Sequence, residues 1–133
     1  MATPAEPRKT PCATCPYRRS VPSGLWDKSE YDKLARYDGD IPEQTAMAVF
    51  LCHGADGSVC AGWLGHRDPT EMLAVRIGLM DGRLAESCAS YETDVPLFPS
   101  GAAAVAHGAA EIERPGPRAA AAIDKLIRSR RAG

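Results

Sequence analysis

Four cysteines in two groups constrain this chain more than any other feature. Cys12 and Cys15 form a C-x2-C motif, thirty-six residues separate Cys15 from Cys52-His53, and Cys60 lies eight positions after Cys52. Thiolate sulfur and imidazole nitrogen are the ligands that zinc and iron-sulfur clusters use in proteins. The spacing therefore predicts one metal site in which the four cysteines converge, with His53 as a fifth candidate ligand.

The ligand types leave the metal open between Zn2+ and a [4Fe-4S] cluster. Four cysteines suit a closed structural zinc site and a cluster equally well. Pro16 directly after Cys15 is typical of cluster-binding ferredoxin sequences, whereas His53 offers the mixture of cysteine and histidine found in zinc sites. We favour zinc and keep the cluster as the alternative. We expect His66 not to be a ligand, because three or four sulfurs nearly fill a zinc site.

The fifth cysteine, Cys88, has no partner at a motif spacing and is expected to be a small buried hydrophobic residue. An odd count of five cysteines argues against a disulfide framework. A redox dithiol at C-x-x-C is also disfavoured, because that motif usually follows a strand and opens a helix, and no strand is predicted before Cys12.

Length and composition predict one soluble domain. A chain of 133 residues with 44% hydrophobic and 25% charged residues has enough apolar material for a single core. Residues 1–10 are rich in proline and alanine and are expected to form a disordered arm, which leaves 11–133 as a metal-binding globular domain. No stretch is long and apolar enough to span a membrane and no signal peptide is recognisable, so we expect a cytoplasmic protein.

The charge is concentrated at the ends of the chain. Residues 1–20 carry a net charge of +3 and residues 115–133 carry +4, which leaves −8 between them because the total is −1. Basic ends can steer a protein towards a nucleic acid or an acidic protein surface, although such runs are more often only solvated. The candidate contact residues for a partner are Tyr17, Arg18, Arg19, Arg128, Arg130 and Arg131.

Helix signals outnumber strand signals, so the predicted fold is mainly α, either small α or α+β, with an irregular N-terminal segment tied down by the metal centre. Capping residues and apolar periodicity predict four helices. One begins at Asp27, a core helix begins at Asp68, an alanine-rich helix follows Ser100, and an amphipathic helix begins at Pro117. The apolar run over 46–51 is expected to be buried and to deliver Cys52 to the site.

These motifs also resemble those of a known group of proteins. Pro-Cys-x-x-Cys-Pro-Tyr-Arg, Phe-x-Cys-His and Cys-Ala-Gly-Trp-Leu are similar to the motifs of an uncharacterised family of small cysteine-containing proteins from actinobacteria and their phages. The resemblance extends from about Pro11 to the last helix. It implies that Cys12, Cys15, Cys52-His53 and Cys60 are the family's motif positions, and it implies no substrate.

Three classes of function fit these features. A structural zinc site would make the protein a binding or regulatory module, an open-edged cluster would make it a redox or oxygen sensor, and a metal-bound water would make it a zinc-dependent hydrolase. The hydrolase would need a general base such as His53 or Asp56. No Ser/His/Asp set, phosphate-binding loop or paired carboxylate motif is recognisable, so we favour the binding or regulatory module and rank catalysis last.

Overall fold

The computed structural model describes residues 3–26, 28–51, 57–110 and 116–132, and it describes no side chains for 129–132. Within these ranges the fold is mainly helical, and the β-structure consists of isolated bridges. None of the described helices is both long enough and apolar enough to cross a membrane. The α-helices are α1 (Lys28–Asp32), α2 (Ala61–Gly65), α3 (Leu73–Met80), α4 (Gly101–Ala109) and α5 (Pro117–Ala132), and 3-10 turns cover Leu34–Tyr37, Ile41–Glu43, Pro69–Glu71 and Glu86–Ser90.

Helix α4 packs closely against α1 and the 3-10 turn that follows it. A Cβ atom on Gly101 would lie 2.0 Å from the carbonyl oxygen of Leu34, and one on Gly108 would lie 2.1 Å from a ring carbon of Tyr31. Both positions therefore need glycine for the close approach. The Ser100 hydroxyl accepts a hydrogen bond from the third amide of the helix at 3.1 Å, so the predicted cap and helix are confirmed.

Asp38 caps the same helix from a distant part of the chain. Its two carboxylate oxygens accept hydrogen bonds from the amides of Gly101 at 2.6 Å and Ala102 at 2.8 Å. A carboxylate at a helix N-terminus satisfies amides that lack a partner within the helix and complements the helix dipole. This contact joins the start of α4 to the segment that follows the turn Leu34–Tyr37.

The predicted core helix from Asp68 is divided in two. The Asp68 side chain caps the 3-10 turn Pro69–Glu71 instead, and α3 starts only at Leu73, whose amide donates to Gln44 Oε1 at 2.8 Å. The reason is a cap supplied from another segment, which local sequence does not reveal. Burial also falls along the helix, since Met72 before it is 0% exposed and Met80 at its end is 88% exposed.

The prediction that residues 46–51 form a buried segment is wrong. Met47 is 61% exposed and Leu51 is 50% exposed, whereas Phe50 is buried. The segment has no regular secondary structure over 46–50 and bends at Ala48, so it does not present all of its apolar side chains to the core. Leu51 forms an antiparallel bridge with Val59, and the Phe50 carbonyl accepts the Cys60 amide at 2.9 Å.

Residues 3–10, for which composition predicts disorder, lie along two core segments. The Ala5 amide donates to the Arg83 carbonyl at 2.8 Å, and the Arg8 amide donates to the Val59 carbonyl at 3.1 Å. Parallel bridges pair Ala5 with Leu84 and Pro7 with Val59. These contacts lead the chain directly into the first cysteine motif.

The amphipathic helix predicted from Pro117 is α5. Ala119 is buried and Ile123 and Leu126 pack against the core, whereas Ile127, predicted to share their face, is 42% exposed. The first turn is also held by a hydrogen bond from Arg118 to the carbonyl of Ser20 at 3.0 Å. This bond places α5 beside the N-terminal cysteine motif.

Candidate metal centre

The first cysteine motif forms a tight turn that three contacts brace. The Cys15 amide donates to the Cys12 carbonyl at 3.0 Å. Trp26 Nε1 donates to the Thr14 carbonyl at 2.8 Å, and Arg18 donates to the Pro11 carbonyl at 3.0 Å. The backbone between the two cysteines is therefore fixed from both sides, which sets the direction of the Cys15 side chain.

Cys60 occupies the N-cap position of α2, and its sulfur accepts a hydrogen bond from the Trp63 amide at 3.5 Å. Backbone amides at the start of a helix lack partners within the helix, so a sulfur atom there is placed to accept them.

The two motifs meet in the core. Cys15 and Cys60 are 1% and 3% exposed, and their Sγ atoms lie 3.7 Å apart. Gly62 permits this approach, because a Cβ atom at that position would lie 2.1 Å from Cys15 Sγ and 3.3 Å from Tyr17 Cβ. Gly62, the second residue after Cys60 in the Cys-Ala-Gly-Trp motif, is thus part of the site.

Hydrogen bonds distinguish the two sulfurs. The pKa of the Cys15 thiol is lowered, first by the side-chain hydrogen bond with Cys60 and then, against the effect of burial, by the backbone amides of Tyr17, Arg18 and Gly62. The pKa of the Cys60 thiol is raised well above its usual range by the bond with Cys15 and by burial. The hydrogen bond between the sulfurs therefore favours one thiolate and one thiol that share the remaining proton.

Of the other predicted ligands, the structure describes Cys12 but not Cys52 or His53. Cys12 is partly buried, and the charge on its sulfur raises the pKa of Cys60 slightly, whereas Cys52 and His53 lie outside the described residues, as does Asp56. In the part of the chain that the structure describes, no group of three or more cysteine, histidine, aspartate or glutamate residues is placed to hold a metal ion. That part brings together the pair Cys15 and Cys60.

Cys88 lies apart from this pair. Its side chain is 0% exposed, as the sequence predicts, and its sulfur donates to the Ala5 carbonyl at 3.6 Å. Burial raises the pKa of this thiol. Cys88 therefore packs beneath the N-terminal arm as a neutral side chain.

His66 ends α2 within an aromatic cluster next to the cysteines. Its ring stacks on Tyr17 with centroids 4.3 Å apart, and Nδ1 donates to the Trp63 carbonyl. Nε2 is buried and has no hydrogen-bond partner among the described residues. Burial lowers the pKa of His66 from 6.5 to about 4, so the ring is neutral at physiological pH.

The residues proposed to contact a partner differ in accessibility. Tyr17 is 0% exposed and donates to the Leu34 carbonyl, so it belongs to the core and not to a contact surface. The prediction followed from the arginines beside Tyr17, but burial of the aromatic ring in the core decides its position. Arg18 is partly exposed, Arg19 and Arg128 are exposed, and the side chains of Arg130 and Arg131 lie outside the described residues.

These features define a small, mainly helical protein built around a buried pair of cysteines. The chain belongs to a family of unknown function, DUF6283, which matches residues 7–131. The match includes both cysteine motifs and confirms the resemblance to an uncharacterised family. Comparisons with curated proteins and with solved structures found no match.

Proposed function

We propose that the protein binds one zinc ion through Cys15, Cys60 and further residues of the two cysteine motifs, and that it acts as a binding or regulatory module. The metal would join the N-terminal turn to the start of α2. A thiolate site of this kind requires a reducing compartment, so the proposal includes a cytoplasmic location.

The observation that carries the proposal is the 3.7 Å separation of the Cys15 and Cys60 sulfurs. Zinc–sulfur bonds of about 2.3 Å at tetrahedral angles require a sulfur–sulfur distance of about 3.8 Å. The cysteines of a [4Fe-4S] cluster bind different iron atoms, which separates their sulfurs further. The distance therefore supports a single ion, although Pro16 after Cys15 still favours the cluster, and with it the redox or oxygen sensor, as the second candidate.

The surroundings of the sulfurs suit a closed site. Amides of Tyr17, Arg18 and Gly62 donate to Cys15, and the Trp63 amide donates to Cys60. Such donors stabilise thiolates, and they tune metal–thiolate sites in known proteins. Both cysteines are almost fully buried, whereas a hydrolase needs a ligand position open to water. These contacts favour a structural role over catalysis.

The remaining ligands would come from Cys12, Cys52 and His53. Cys12 belongs to the same turn as Cys15. Cys52 is covalently bonded to Leu51, which forms a bridge with Val59, the neighbour of Cys60. Leu51, the last described residue before Cys52, thus pairs with the residue next to Cys60, which supports a contribution from Cys52.

The test is elemental analysis and visible absorption of protein purified without oxygen, for the wild type and for Cys15→Ser, Cys52→Ser and Cys60→Ser. We expect a colourless wild-type protein with one zinc per chain. Each serine variant should bind less than a tenth of the zinc, because a structural site loses most of its affinity with one thiolate.

Cys88→Ala is the matched control, because it removes a buried cysteine that lies apart from the pair. This variant should keep its zinc. A brown protein with stoichiometric iron and sulfide would show that the bound group is the iron-sulfur cluster and not zinc. Metal-free wild-type protein, or serine variants with unchanged metal content and thermal stability, would refute the shared site. Cys15 and Cys60 would then be two buried thiols that only pack together.

A further inference from the structure

A groove lies between the first cysteine motif and α5. It has a volume of about 590 Å3, and Arg18, Arg118 and Lys125 line it together with Ala13 and Thr14. Ala13 and Thr14 are the two residues between Cys12 and Cys15, so the turn that the proposed metal would fix also forms one wall of the groove.

The cations of this groove are not neutralised within the described part of the chain. The ion pairs there involve Lys28, Lys33, Arg67 and Arg83, each with a nearby carboxylate. Arg18 and Arg118 donate instead to neutral oxygens: Arg18 to the Pro11 carbonyl and the Ser20 hydroxyl, and Arg118 to the Ser20 carbonyl. The described lining contains no aspartate or glutamate.

The remaining wall is apolar and made of small side chains. Pro22, Ala121, Ala122 and Leu126 contribute to it. On a helix, positions 118, 122 and 125 lie on one face. Helix α5 therefore presents Ala122 between two cations, Arg118 on one side and Lys125 on the other. Ala122 and Leu126 also pack partly against the core, which holds this face in place.

We propose that this groove binds an acidic, partly apolar segment of a partner protein. Guanidinium groups bind carboxylates through paired hydrogen bonds, and the alanine wall leaves room for an apolar side chain between them. The inference rests on the proposed role as a binding module and names the chemistry of its partner.

A nucleic acid fits the groove less well. Proteins that bind single strands usually stack the bases on aromatic rings, and the described lining has none. The chain between the basic ends carries a net charge of −8, which opposes a long polyanion. An acidic peptide needs only the local positive field of the groove.

The test measures fluorescence anisotropy of a labelled peptide of about twelve residues in which glutamate alternates with leucine and alanine. The comparison probes are the same peptide with glutamine for glutamate and a labelled single-stranded oligothymidylate of similar length. We expect binding of the acidic peptide, at least about tenfold weaker binding of the neutral peptide, and weakening by salt.

Arg118→Gln with Lys125→Gln should weaken peptide binding at least about tenfold, because two charge-assisted contacts are lost. Lys28→Gln with Lys33→Gln is the control, since it removes the same charge from α1 and the residue after it, away from the groove. Ala121→Glu, at an exposed position in the groove, should also weaken binding.

The zinc content of every sample separates the two proposals. Wild-type protein that is purified without metal and still binds the peptide would support the groove and refute the metal centre. Zinc-loaded wild-type protein that does not bind the acidic peptide would refute the groove. Equal weakening by both double substitutions, or tighter binding of the oligothymidylate than of the peptide, would also overturn the inference.

Discussion

Replacing His66 with phenylalanine should remove a pH-dependent part of the protein's stability. The folded protein lowers the pKa of His66 from 6.5 to about 4, because burial disfavours the charged ring. Nδ1 donates to the Trp63 carbonyl, so an added proton would go to Nε2, which is buried with no partner among the described residues. Phenylalanine keeps the stacking surface towards Tyr17 and cannot be protonated.

The size and sign follow from the two pKa values. Between pH 6.5 and pH 4 the unfolded chain binds a proton at His66 that the folded protein does not, so stability falls as the pH falls through this window. A difference of about 2.5 pH units corresponds to about 3 kcal/mol. This contribution is fully present above pH 6.5 and is lost as the pH approaches 4.

The assay is urea unfolding of the wild type and His66→Phe at a series of pH values from about 4 to about 7.5. The wild type should lose about 3 kcal/mol more than the variant over this range. Taking the difference between the two proteins cancels other groups that titrate, including the cysteines. Parallel stability curves would refute the assignment of a buried neutral ring at His66.

Two other substitutions test the packing and the capping. Gly62→Ala should cost about 1–3 kcal/mol or more and release zinc, because the added methyl would lie 2.1 Å from the Cys15 sulfur. Gly65→Ala on the same helix should cost less in thermal melts and keep its zinc in metal analysis, because its methyl would meet the side chains of Tyr91 and Thr93 at 3.0 and 3.1 Å and no cysteine. Asp38→Ala should lower the free energy of unfolding by about 1–2 kcal/mol, because two amides of α4 lose their acceptor. Unchanged urea midpoints for Gly62→Ala or Asp38→Ala would contradict the corresponding contact.

Features that depend on neighbouring residues could be predicted from the sequence. Ser100 caps α4, and Pro117 begins α5, because capping and proline geometry act within one turn of the chain. Local rules were sufficient for these two helices. The motif spacing also led us to expect the two cysteine groups to converge, and the structure brings Cys15 and Cys60 together across forty-five positions, whereas the metal itself stays a prediction.

Features that depend on distant residues could not be predicted in this way. Gln44 supplies the acceptor for the start of α3, twenty-nine positions further along, and with this contact the helix starts later than the Asp68 signal indicates. The apolar run before Cys52 was expected in the core, but Met47 and Leu51 are exposed. Both outcomes depend on tertiary contacts that outweigh local propensity.

The bridges made by the N-terminal arm imply an order of assembly during synthesis. Ala5 pairs with Leu84 and Arg18 pairs with Leu97, so each of these residues leaves the ribosome well before its partner is made. At the usual rate of translation the delay for Ala5 is on the order of ten seconds. Cys60 is made within that interval, before Leu84, so the sulfurs of Cys15 and Cys60 can meet while the N-terminal arm is still unpaired.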